Sequence, residues 1–65
     1  MNFINYVKED TSTHPEPYED VLISDGEHYE VVRLHEDGCW YKYDFYSKSY
    51  DEFDESFIKK WCYLL

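Results

Sequence analysis

Asp20-Val21-Leu22-Ile23-Ser24-Asp25-Gly26 is a β-branched apolar run stopped by an Asp-Gly pair, and a second pair, Asp37-Gly38, follows twelve residues later. Between them, Glu27 to Glu36 alternates in two phases, with Tyr29, Val31 and Arg33 on one side and Glu30, Val32 and Leu34 on the other. From Cys39 to Ser47 a period of two puts Cys39, Tyr41, Tyr43 and Phe45 on one face and Trp40, Lys42, Asp44 and Tyr46 on the other. Strand side chains alternate between faces, so each of these three stretches reads as a strand. Asp-Gly between β-prone runs predicts a hairpin with a type I′ turn, which needs positive φ at both central residues. Two such pairs in succession predict an antiparallel meander.

Outward from this centre the signals weaken. Ser47 to Glu55 is polar and acidic, with Tyr50 and Phe53 as its large apolar side chains, and reads as a loop packing back through those rings. Ser56 to Leu65 fits either a helix capped by Asp54 or a closing strand in which Phe57, Trp61 and Tyr63 share a face; the aromatic content favours the strand. Met1 to Lys8 fits a short strand or a single helical turn. Thr11 to Pro17, with Pro15 and Pro17, reads as an irregular connector, because proline pushes its predecessor to extended geometry. The expected fold is mainly β or α+β: one small domain over 1–65, with 1–17 a terminal segment and connector and 18–65 a β-rich body. The body is expected to be a curled antiparallel sheet of three to four strands with at most short terminal helices.

The chain has 65 residues, with fifteen Asp and Glu against six Lys and Arg, a net charge of −9, and 22% aromatic side chains. Acidic disordered chains are poor in aromatics, so this composition predicts a folded domain, though a chain this short hides only about 60% of its unfolded surface. No apolar run approaches the roughly 18 residues of a membrane span, and the first residues lack the pattern of a signal peptide. A cytoplasmic setting is expected, with Cys39 and Cys62 as free thiols. So negative a chain repels phosphate backbones, which argues against direct contact with nucleic acid or anionic membrane. A basic protein partner is compatible with it.

Chemistry-bearing clusters are sparse. His35, Glu36, Asp37 and Cys39 are ligand-type residues, but a structural zinc site needs four ligands in paired spacings and only two cysteines are present. Asp51, Glu52, Asp54 and Glu55 lack the central Gly and terminal Glu of a calcium loop. Ser24, Ser47, Ser49 and the two cysteines sit in no nucleophile motif, and Gly26 and Gly38 are taken by turns. No catalytic residue, metal or cofactor is expected, and the chain is read as a non-enzyme. Trp40, Tyr43, Phe45, Phe57 and Trp61 are assigned to the core. Eight tyrosines exceed what so small a core can bury, so some of them, with Tyr18, Tyr29, Tyr46 or Tyr50 as the candidates, are expected at the surface.

Pro17, Asp20-Val21-Leu22-Ile23, Asp25-Gly26, Gly38-Cys39-Trp40 and Trp61-Cys62-Tyr63-Leu64 together resemble a family of small phage and prophage proteins of unknown function. The likeness covers about the last 49 residues; Lys60 and Leu65 stand where that family usually has His and Pro. It implies a small β-rich domain of phage origin and transfers no catalytic residue. The stretch from Glu9 to Asp37 holds ten acids and one base, Arg33. Carboxylates two apart on a strand stand about 6.6–6.8 Å apart, near the phosphate spacing of a DNA strand. The functional expectation is a non-catalytic phage inhibitor of a host defence nuclease, of the anti-CRISPR or anti-restriction kind, mimicking nucleic acid. Its expected contact residues toward a basic nucleic-acid-binding protein are Tyr18, Glu19, Asp25, Glu27, Tyr29, Glu30 and Glu36. A regulatory protein-binding module using its sheet edge or aromatic face is the first alternative, and a sponge for a signalling nucleotide the second.

Overall fold

The computed structural model describes residues 2–64, and among them the fold is one six-stranded antiparallel sheet. Its strands are β1 (Ile4–Asn5), β2 (Asp20–Ser24), β3 (Tyr29–Leu34), β4 (Trp40–Asp44), β5 (Ser49–Phe53) and β6 (Lys60–Tyr63), in the order β1-β6-β2-β3-β4-β5. Consecutive strands β2 to β5 form the expected meander, and β6 returns to lie against β2. The C-terminal segment is therefore a strand. Helical structure among the described residues is confined to two 3-10 turns, Thr11–Thr13 and Glu55–Phe57, each capped by an aspartate, Asp10 and Asp54, that accepts from the serine two residues on.

The expected count of three to four strands is corrected to six. Strand β5 lies in the stretch read as a loop: Tyr50 and Phe53 are three apart, so as strand residues they fall on opposite faces. Phe53 pairs across from Trp40 and Tyr50 across from Tyr43. One apolar side chain per face leaves no alternation to read. Strand β1 is two residues long and takes its place only by pairing with Trp61 and Lys60.

Neither Asp-Gly pair forms a type I′ turn, because the aspartates do not have positive φ; only the glycines do, at 105° for Gly26 and 84° for Gly38. In the first hairpin the Asp25 carboxylate accepts the N–H groups of Glu27 and His28, closing the turn through a side chain. In the second, the Gly38 N–H bonds the His35 carbonyl and the His35 N–H bonds the Cys39 carbonyl, a three-residue loop with glycine in the left-handed position.

The core lies on one face: Val21, Ile23, Val32, Leu34, Trp40, Ile58 and Trp61, with Tyr6 and Phe53 packed against them. Burying each tryptophan contributes about 4–6 kcal/mol before entropy is counted. The N-terminal residues help roof this face, although the body was expected to begin near Tyr18. Tyr6 packs edge-on against Trp40 at 5.4 Å, Pro15 is buried, and the Trp61 indole N–H donates to the Thr13 carbonyl at 2.6 Å. Phe45 and Phe57, assigned to the core from sequence, are 82% and 53% exposed: the first sits in the β4–β5 turn and the second in a 3-10 turn, beyond the strand alternation. Trp40 and Trp61 are buried as expected, Tyr43 is half-buried, and all four tyrosines offered as surface candidates, Tyr18, Tyr29, Tyr46 and Tyr50, are exposed. Cys39 and Cys62 are free thiols.

Candidate functional site

Alternation places Tyr29, Val31 and Arg33 of β3, and Tyr41 and Tyr43 of β4, on the face opposite the core. Register then assembles them with β5: Arg33 pairs across from Tyr41, and Tyr43 from Tyr50. The result is a continuous aromatic tract. Tyr43 meets Phe45 at 4.9 Å and Tyr50 at 5.2 Å, both edge-to-face. His35 stands among Tyr41 at 4.1 Å, Tyr18 at 4.8 Å and Tyr50 at 5.8 Å, its Nε2 buried without a hydrogen-bond partner among the described residues. The Arg33 guanidinium lies 4.8 Å from the Tyr50 ring centre while its Nη2 is 3.0 Å from Asp20. Phe3 packs at the Tyr29 end at 6.0 Å and Tyr18 at the His35 end, while Val31, Tyr29 and Tyr50 remain exposed.

The tract contains an opening. The β3–β4 ladder comprises only Arg33↔Tyr41 and Leu34↔Trp40, although both strands run on, to Tyr29 and to Asp44. Continued, the same register would pair Val31 with Tyr43. Instead the ladder ends, and a cleft of about 670 Å³ lies beside it, walled chiefly by Tyr29, Val31, Tyr41, Tyr43, Phe45 and Tyr50, with the charged residues Asp20, Glu30 and Lys42 also in its wall. Lys42 and Glu30 form an ion pair at 2.9 Å.

Most of the chain's negative charge is not neutralised. Four of the fifteen carboxylates, on Asp20, Asp25, Glu30 and Glu55, form ion pairs among the described residues, the Asp25 pair counting only when His28 is protonated. Several others serve turns. The backbone N–H groups of His28 and Glu27 hold the Asp25 carboxyl down to about 2. Asp37 is held low chiefly by the Cys39 N–H, and the hydrogen bond it accepts from Tyr41, at 2.9 Å, pushes that phenol up to about 12.

The residues singled out from sequence do not form one row. Asp25 and Glu27 sit in the β2–β3 turn; Tyr18, Glu19 and Glu36 lie at the opposite end of that hairpin, where the Tyr18 N–H bonds the Leu34 carbonyl. Tyr29 and Glu30 point to opposite faces of β3. Of the five acids only Glu30 is on a strand, so the two-residue carboxylate spacing near that of DNA phosphates is not realised. The aromatic tract takes in Tyr18 and Tyr29 but also Arg33, His35, Tyr41, Tyr43, Phe45 and Tyr50, which sequence reasoning left out. The alternation of Tyr41, Tyr43 and Phe45 was the signal for it; that this face stays open was not written in the pattern.

His35, Glu36, Asp37 and Cys39 do not converge. Asp37 is engaged by Cys39 and Tyr41 and His35 by aromatic rings, and no group of three ligand-type side chains among the described residues is placed to hold a metal ion. No helix among them is long and apolar enough to cross a membrane. Compared with family models, curated proteins and solved structures, the chain matches none.

Proposed function

We propose that this chain is a non-catalytic protein-binding module whose contact surface is the open, tyrosine-bearing face of β3, β4 and β5. One observation carries the reading: the face opposite the core gathers Tyr29, Val31, Tyr41, Tyr43, Phe45 and Tyr50 into a single tract in which Tyr29, Val31, Phe45 and Tyr50 stay exposed, although Phe3 packs beside Tyr29 at 6.0 Å. Tyrosine offers large contact area at low conformational cost and is enriched at interface centres, while rim charges steer encounter. The experiment is affinity capture from cells with mass spectrometry, comparing the native chain with a Tyr29→Ala/Tyr50→Ala double variant. Both side chains are exposed, so the variant keeps its core. The expected outcome is a partner retained by the native chain in 0.5 M NaCl and lost by the variant; equal capture by both sinks the reading.

A second reading draws on the un-neutralised charge: a phage-encoded inhibitor presenting carboxylates to the nucleic-acid channel of a host defence nuclease. It predicts the reverse pattern, a partner lost in 0.5 M NaCl and on charge reversal at Glu19, Asp25, Glu27 and Glu36 but kept by the tyrosine variant. A nucleotide sponge is disfavoured, because Arg33 and Lys42, the cations nearest the cleft, are each held by a carboxylate.

A further inference from the structure

We infer, resting on the binding-module reading, that the cleft where β3 and β4 part receives an arginine side chain from an extended basic segment of the partner. Three observations converge on that occupant. The lining is chiefly aromatic, and ring faces attract cations; guanidinium stacks on them while its edge remains free for a carboxylate. The wall supplies that carboxylate. Asp20 stands across from Arg33 on the tract's face, and both Arg33 contacts use its Oδ1, so its other oxygen keeps lone pairs for a further donor. The chain already shows the arrangement within itself: the Arg33 guanidinium over the Tyr50 ring at 4.8 Å, clamped by Asp20 at 3.0 Å.

The segment carrying the arginine is extended because of what the parted strands leave. The His35 N–H bonds the Cys39 carbonyl, so alternate residues of β3 back along the strand, Arg33, Val31 and Tyr29, turn their peptide groups toward β4. Beyond Arg33 the ladder offers these groups no paired strand. An added strand can bond such groups while its side chains enter the lined space. Charge selects a basic sequence: the chain carries −9, and the cations beside the cleft are already neutralised.

The test is an NMR titration of the isotope-labelled protein with a Gly/Ser decapeptide carrying two arginines two residues apart, and with its citrulline counterpart, which keeps the shape and removes the charge. The arginine peptide is expected to shift Val31, Tyr43 and Tyr50 resonances and to bind at least about tenfold tighter than the citrulline peptide, equivalent to about 1.4 kcal/mol. Tyr43→Ala and Phe45→Ala are each expected to weaken it severalfold, and Tyr46→Ala to leave it unchanged. Phe45 is largely exposed, so its variant separates binding from folding should Tyr43→Ala unfold. Equal binding of the two peptides, or shifts confined to Asp51–Glu55, overturns the inference. If the arginine peptide does not bind while Tyr29→Ala/Tyr50→Ala still abolishes partner capture, the arginine cleft is wrong and the binding module stands. If that variant retains the partner, both fall.

Discussion

Asp25 closes the first hairpin with its side chain rather than with the turn type its sequence suggests. Its carboxylate accepts two backbone N–H groups, at 2.7 Å from His28 and 2.8 Å from Glu27, which is why its folded pKa lies near 2, below the ordinary 3.8. A depressed folded pKa means stability that is present above the ordinary value and lost as pH falls through about 2. Asp25→Ala should therefore be less stable than the native chain at pH 7, with the gap narrowing between pH 4 and 2; urea unfolding across that range measures it, and a pH-independent gap contradicts it. Lys48 presents a different backbone problem. Its φ of 56° costs a residue with a Cβ about 1–2 kcal/mol, of which glycine recovers most while adding its own chain entropy. Lys48→Gly should stabilise by about 0.5–1 kcal/mol, a Tm gain of about 3–6 °C in a domain this small. A lower Tm would show that the Lys48 side chain makes contacts worth more than the strain.

At the scale of elements, the strands are unequal. Strand β2 is paired on both sides, by β3 and β6, along nearly its whole length, whereas β3 and β4 share only two paired positions. Exchange of an amide requires its hydrogen bond to open, so protection follows the ladder. The amides of Arg33 and Tyr41 should exchange at least about tenfold more slowly than those of Val31 and Tyr43. Equal protection at all four would mean that the strands close in solution and that the cleft does not persist. The outer edge of β5 carries Asp51 and Glu52, and such charges on an edge strand oppose pairing with a second copy.

For the whole molecule the dominant fact is charge on a short chain. The long axis is 31 Å, about the screening length in 0.01 M salt, so every carboxylate then repels every other. In 0.1 M salt that length falls to about 10 Å. Thermal melts at neutral pH should accordingly rise by several degrees between these two conditions; a fall would mean that the four ion pairs outweigh the repulsion among the remaining acids.

The hairpins, the alternating faces of β3 and β4 and the closing strand were legible in the sequence because each depends on local geometry, and the surplus of tyrosines over core space because it is a matter of count. Period-two alternation and turn-forming glycine act within a few residues. Strands β1 and β5, the placement of residues 6–15 over the core, and the opening between β3 and β4 were not legible. Ile4–Asn5 becomes a strand only beside Trp61, and Ser49–Phe53 only beside β4. By itself the sequence determined which side chains share a face and that so acidic a chain folds at all, since the Val21-Leu22-Ile23 run and two tryptophans are there to be buried. Only the tertiary structure decided which face is roofed and which stays open. That choice turns on contacts between residues far apart in the chain, such as Trp61 with Thr13 and Tyr6 with Trp40.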